Sequence, residues 1–184
     1  SVGIIGAGVD RLADEGLPRL RDKLASARET TNVVVVLVVG VNDLKQMNFV
    51  GYRDGLRRLV AELCTVAGEL RDVARRGQAV DIFLPELNIA DAPLLQRFPL
   101  RFFARPVGAL WEREKRQAIA AISNVETLAF PPAPEGVDVA SLFSSDEVHP
   151  SLRGYEWWAD GLATQIHSRL MARTGLPVSA RGAE

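Results

Sequence analysis

The chain has 184 residues, of which 47% are hydrophobic and 24% are charged, a balance that suits a single domain with one substantial core. Its 22 basic and 23 acidic side chains leave a net charge of −1, so no global field favours nucleic acid or an anionic partner. A small-molecule substrate fits this balance better. The longest apolar run lies within residues 33–41 and is far shorter than the roughly 20 residues that a membrane-spanning helix needs, so no transmembrane segment is expected. The single cysteine, Cys64, has no internal disulfide partner and is expected in the core.

Predicted strands and helices alternate from the first residues onward. Residues 2–5 read as a strand and residues 12–25 as its helix. Residues 33–39 form a continuous valine-rich run without polar alternation, which predicts a central strand buried on both faces. Residues 52–76 carry apolar side chains at steps of three and four and end before Gly77, which predicts a long helix. The later elements are a strand over 79–84, a helix over 110–123, a strand over 125–130 and a final helix over 154–174.

This alternation predicts an α/β fold with a mostly parallel sheet covered by helices on both sides, a three-layer α/β/α sandwich. Residues 1–173 form the expected domain, and residues 174–184 form a flexible tail. Ligands of such sheets bind beyond the carboxyl ends of the strands, so the segments that follow each strand are the places where functional residues are expected. These segments are residues 6–10, 40–43, 85–105 and 131–150.

The glycine cluster near the start does not match a dinucleotide-binding loop. Counting from Gly6 and Gly8, the third glycine of that fingerprint is replaced by Arg11, and the acidic residue expected about 20 positions further on is missing. Without a Cβ, Gly6 instead allows a backbone N–H group to approach a reacting oxygen closely. An oxyanion site is therefore the better interpretation of this loop.

Residues able to carry acid–base chemistry follow two of the strands. Asp146 stands three residues before His149 in a turn closed by Pro150, so its carboxylate can hold one imidazole nitrogen and leave the other free as a base. Asn42, directly after the valine run, supplies a side-chain N–H donor, although it is equally suited to capping a turn. The other histidine, His167, is expected on a solvated helix surface, and these few ligands argue against a metal site.

Three blocks together resemble the SGNH hydrolases, also called GDSL-like esterases and lipases. Gly6 within IIGAGV resembles the second block of that family, Gly40-x-Asn42-Asp43 the third and Asp146-x-x-His149-Pro150 the last. The resemblance implies a flavodoxin-like fold and a serine esterase that cleaves a small-molecule ester without metal or cofactor. It further implies that His149 is the general base, that Asp146 orients it, and that Gly6 and Asn42 donate to the oxyanion. Asp43 is expected to tie the loop structurally.

The family's Gly-Asp-Ser block, which carries the nucleophile, is absent from the chain. Three explanations stand: the nucleophile lies on a separate N-terminal segment of the same protein, the protein is degenerate, or Ser1 acts with its own α-amine. A non-catalytic protein that binds a small carbonyl or anionic ligand is the alternative function. The apolar stretch 90–107 is either a lid over an acyl pocket or a cover for the sheet edge.

Overall fold

The computed structural model describes residues 8–25, 33–45, 49–73, 80–120, 122 and 125–174. The predicted strand over 2–5, Gly6 and the predicted tail after residue 174 lie outside these residues. The described helices are α1 Val9–Arg11, α2 Leu17–Ala25, α3 Val41–Lys45, α4 Phe49–Val73, α5 Arg101–Ile119 and α6 Leu152–Thr174, with a π-helical turn Leu12–Gly16 between α1 and α2. The strands are β1 Val33–Val36, β2 Val80–Pro85 and β3 Val125–Leu128, and 3₁₀ turns occur at Ile89–Asp91, Pro93–Gln96 and Val139–Leu142.

The three described strands form one parallel sheet in the order β1-β2-β3, which confirms the expected α/β class. Val33 lies opposite Val80, and Ile82 lies opposite Val125. Every residue of β2 is buried, and this strand has a neighbouring strand on each side. All three carboxyl ends point the same way, so the loops that follow them meet at one edge of the sheet.

The predicted burial of residues 33–39 on both faces is wrong, and among the described strands this run lies at an edge. β1 ends at Val36 and lies at an edge, and Val34, Val36 and Val38 are 39%, 41% and 47% exposed. The alternate side chains of the same run, such as Leu37 and Val39, are buried in the core. A continuous valine run indicates a strand that can be buried on both faces. Whether both faces are buried depends on which other elements pack against them, and the run itself does not determine those elements.

Two hydrophobic clusters use opposite faces of β2, because successive side chains of a strand point to opposite sides. One cluster brings Ile82 and Leu84 together with α1, α2, α4 and α5, and Cys64 packs against it at its margin. The other brings Phe83 and Leu128 together with Leu162 of α6. Among the described residues, the helical side chains of the second cluster come from α6.

Helix α5 begins at Arg101, well before the predicted start at residue 110. Pro106 lies in the second turn of the helix, where a proline removes only one backbone donor, and the helix continues through it. The stretch 90–107 thus consists of 3₁₀ turns followed by the first turns of α5. The pocket described below is lined up to Ile89 but by no residue of this stretch, and Phe98, Phe102 and Phe103 lie in solvent.

Candidate functional site

The loop after β1 turns sharply at Gly40. Its φ of +113° is a conformation that side-chain-bearing residues rarely adopt. A Cβ at this position would lie 2.7 Å from Trp111 Nε1 and 3.2 Å from Tyr52 Oη. These two aromatic rings are buried and stack on each other with their centroids 4.0 Å apart. Gly40, the glycine of the G-x-N-D block, therefore allows the chain to pass closely over the stacked rings of Tyr52 and Trp111, which we call the aromatic floor.

Asp43 joins this loop to the glycine loop near the start of the chain. Its two carboxylate oxygens accept the backbone N–H of Val9 at 3.1 and 3.2 Å. A Cβ on Gly8 would lie 2.6 Å from Asp43 Oδ1, so the two loops are in direct contact. Burial raises the pKa of Asp43, and the bond from Val9 partly offsets this rise. Asp43 thus has the expected structural role, and it places neighbouring Asn42 beside the glycine loop.

The Asp146–His149 turn forms the dyad that its spacing predicts. Asp146 Oδ2 lies 2.5 Å from His149 Nδ1. Asp146 Oδ1 accepts the Ser144 hydroxyl at 2.7 Å and the N–H groups of Val148 and His149 at 3.0 Å each. These bonds, led by the one from Ser144, hold the pKa of Asp146 well below its usual range. The carboxylate is therefore ionised and fixed, and it supports the Nδ1–H tautomer of the imidazole.

The turn is held in shape by contacts that the sequence does not reveal. Glu147 has a φ of 59°, a left-handed conformation that is uncommon outside glycine. Such a conformation costs energy and persists only where the surrounding contacts impose it. Its carbonyl accepts the Leu94 N–H at 3.2 Å, and its carboxylate lies 2.5 Å from Arg97. The Ser144 N–H also donates to the His149 carbonyl at 2.8 Å. These bonds fix the backbone on both sides of Asp146.

An apolar pocket of about 160 Å³ lies beside His149. Its walls come from the segments that follow all three described strands and from the start of α6; among them are Val38, Val41, Leu87, Phe130, Leu142 and Trp158. The Nε1 of Trp158 is buried and has no acceptor among the described residues. The pocket is thus an apolar hollow at the carboxyl edge of the sheet, with an imidazole in its lining and an unused donor on one wall residue.

A buried lysine fixes the wall that follows β2. Lys115 of α5 donates to the Pro85 carbonyl at 2.8 Å and lies 2.9 Å from a carboxylate oxygen of Glu112. Glu112 in turn accepts the Leu87 N–H at 2.9 Å. Burial lowers the pKa of Lys115, although the neighbouring carboxylate opposes this effect. The pair ties α5 to the carboxyl end of β2, where Leu87 begins the pocket wall.

The predicted site residues are therefore brought together in part. Asp146 and His149 are in contact, and Val41, the neighbour of Asn42, lines the same pocket as His149. Asn42 itself is half-buried in the first turn of α3. Gly6 precedes the described residues; the described residues that follow it, Gly8 and Val9, contact Asp43. The sequence analysis missed Ser144, Glu147 and Arg97, of which only Ser144 has a local signal, its position two residues before an aspartate.

Across the described ranges, no three or more His, Cys, Asp or Glu side chains gather in a way that could hold a metal ion. None of the helices in those ranges is both long enough and apolar enough to cross a membrane.

Comparisons with known proteins add no family assignment. No protein-family model matches the chain. No curated protein matches it either. The resemblance to the SGNH hydrolases therefore rests on the three sequence blocks alone.

Proposed function

We propose that the protein is a serine esterase of the SGNH type, with an α/β/α sandwich fold and a nucleophilic serine on a segment outside these 184 residues. The observation that carries the proposal is the carboxylate-held imidazole of His149 in the lining of an apolar pocket. An Asp–His pair that supports the Nδ1–H tautomer leaves Nε2 as an acceptor, which is the form required to activate a hydroxyl group.

The mechanism assigns one proton path to this pair. His149 Nε2 removes the serine proton as the hydroxyl oxygen attacks the ester carbonyl carbon, and a tetrahedral oxyanion forms. The imidazolium, stabilised by Asp146, then protonates the departing alcohol as the acyl-enzyme forms. In the second half, His149 removes a proton from water as the water oxygen attacks the acyl carbon. The imidazolium then gives this proton to the serine oxygen as the acyl–serine bond breaks and the acid leaves. The backbone N–H of Gly6 and the side chain of Asn42 donate to the oxyanion in both halves.

The pocket supports an acyl group as the part of the substrate that is recognised. Its lining is dominated by aliphatic and aromatic side chains, which suit a hydrocarbon chain. An apolar protein cavity of about 150 Å³ accommodates benzene. A pocket of about 160 Å³ therefore fits an acyl chain of about four to six carbons.

Two exposed surfaces of β1 support the proposal that a further strand and helix pack there and carry the nucleophilic serine. A groove of about 310 Å³ runs between β1 and α2, with Leu17, Leu20, Val33 and Val35 among its lining residues. The sheet face that carries Val34 and Val36 is exposed beside it. Long apolar strand edges and faces are normally paired or covered. A parallel strand in the groove would end at the same edge of the sheet as the loops around His149.

Hydrolysis of p-nitrophenyl butyrate by the intact protein tests the proposal. His149→Ala should lower kcat by about 10²- to 10⁴-fold, the usual contribution of a general base. His167→Ala is the matched control, since His167 is exposed on α6 and should leave the rate unchanged. Equal rates for the wild type and both variants would remove His149 from the mechanism.

A non-catalytic carboxylate- or carbonyl-binding protein is the second candidate, and the buried, unpartnered Nε1 of Trp158 favours it, because a ligand oxygen would satisfy that donor. Isothermal titration with butyrate and hexanoate separates the two functions. Saturable binding by a protein that hydrolyses no ester, in the presence of all its segments, would support the binding function over the esterase.

A further inference from the structure

The start of α5 carries an unusually apolar exposed surface. Phe98, Leu100, Phe102 and Phe103 are 76%, 42%, 58% and 63% exposed. We call these four residues, together with the exposed Arg101 and Arg105, the docking face. Single exposed apolar side chains are common on proteins, but four large ones within six residues form a contiguous patch of the kind that marks an interaction site.

Two of the three aromatic rings of the docking face contact each other. Phe98 and Phe102 meet edge to face with their centroids 5.9 Å apart, and the guanidinium of Arg101 lies 5.0 Å from the centre of the Phe102 ring. Each interaction is of a type that holds aromatic side chains in place. Phe98, Arg101 and Phe102 therefore form a cluster in solvent, whereas later turns of the same helix contribute to the buried core.

The docking face is locally basic in a chain with a net charge of −1. Between Asp91 and Glu112 the sequence has no acidic residue and has three arginines, at positions 97, 101 and 105. Arg97 is paired with Glu147, whereas Arg101 and Arg105 accompany the exposed rings. A partner of this surface is thus expected to combine an apolar layer with negative charge.

We propose that the docking face binds the surface of an anionic lipid bilayer. Aromatic and leucine side chains enter the boundary between headgroups and acyl chains, and interspersed arginines contact the lipid phosphates. A lipid surface offers both chemistries across a wide area, as the mixed composition of the docking face requires. This binding does not depend on ester hydrolysis. It departs from the sequence-based expectation that no anionic partner is favoured, because that expectation considered only the global charge and not this local patch.

The docking face is also connected to the His149 turn. Leu94 and Arg97, which precede it, bind the carbonyl and the carboxylate of Glu147. A protein held at a bilayer through Phe98, Phe102 and Phe103 would have this turn close to the interface.

Co-sedimentation with vesicles tests the docking. The intact protein should pellet with vesicles of phosphatidylcholine containing about one quarter phosphatidylglycerol, and much less with phosphatidylcholine alone. Phe98→Ser combined with Phe102→Ser should weaken partitioning about tenfold or more. Leu152→Ser is the matched control, because Leu152 is 77% exposed outside the docking face, and it should bind like the wild type.

The charge component is tested separately. Arg101→Gln and Arg105→Gln should each weaken binding to the mixed vesicles about fivefold. Arg57→Gln, which removes an exposed arginine of α4, should have no effect. Equal partitioning of the wild type and the double phenylalanine variant would overturn the proposal. A wild-type dimer that this variant converts to monomer would overturn it too, since a second copy would then cover the face. Esterase assays do not enter either result, so failure of docking and failure of the proposed function are distinguishable.

Discussion

Gly40 is the residue of the candidate site at which the structure predicts the largest loss of stability on substitution. Gly40→Ala adds a Cβ that would lie 2.7 Å from Trp111 Nε1 and 3.2 Å from Tyr52 Oη, both on buried, stacked rings that have little room to move. It also forces an L side chain into a φ of +113°. Backbone strain of this kind costs about 1–3 kcal/mol. Overpacking of a core adds about 1–3 kcal/mol. The free energy of unfolding should therefore fall by about 2–6 kcal/mol.

Two other glycines separate these contributions. Gly136→Ala meets nothing within 4 Å but lies at a φ of +71°, so it should show only the backbone cost of about 1–2 kcal/mol. Gly68→Ala also meets nothing within 4 Å and lies inside α4, so it should raise stability by about 0.5–1 kcal/mol.

Urea unfolding of the three variants, followed by far-ultraviolet circular dichroism, measures the series. The expected order of stability is Gly68→Ala, wild type, Gly136→Ala and then Gly40→Ala. A Gly40→Ala protein as stable as Gly136→Ala would show that the aromatic floor yields freely. In that case the explanation for glycine in the G-x-N-D block would be wrong.

The remaining predictions concern the residues around the pocket. Because folding raises the pKa of Asp43 above 3.8, its carboxyl contributes stability below that pH and loses it as pH rises through the raised value. Asp43→Asn retains an acceptor for Val9, so its free energy of unfolding in urea titrations should equal that of the wild type in acid and exceed it at neutral pH. Asp43→Ala should lower the free energy of unfolding by about 1–3 kcal/mol. An Asp43→Asn protein that is less stable than the wild type at neutral pH would contradict this. Asn42→Ala should lower kcat by about 10²- to 10³-fold with little change in KM. A change confined to KM would make Asn42 a binding residue. Across p-nitrophenyl esters of increasing length, kcat/KM should rise about fourfold per methylene and level off at about four to six carbons. A kcat/KM that does not change with chain length would show that the pocket does not bind the acyl group.

The fold was predictable where local sequence determines the element. The valine-rich and apolar runs mark β1, β2 and β3, and the three- and four-residue spacing before Gly77 marks α4. The position of β1 at the edge of the described sheet was not predictable, because strand neighbours depend on contacts distant in sequence. The start of α5 at Arg101 was not predicted, and Pro106 is a local signal against a helix whose cost the packed remainder of α5 outweighs.

The candidate site shows the same division. Asp146 and His149 are three residues apart, so their contact follows from a short turn and was predictable. The clamp on Glu147 was not, because it combines a left-handed backbone with partners about 50 positions earlier in the chain. Likewise, the link from Asp43 to Val9 spans the first helix and β1, and only the folded chain brings the two loops together.

Labelling with a fluorophosphonate, which reacts with serine activated by a general base, tests the central claim most directly. In the intact protein the label should attach to one serine that lies outside the 184 residues, and His149→Ala should abolish the labelling while His167→Ala preserves it. Peptide mapping identifies the labelled residue. A label on Ser1 or on any other serine of this chain, or labelling unchanged by His149→Ala, would contradict the assignment of His149 as the base for a nucleophile on another segment.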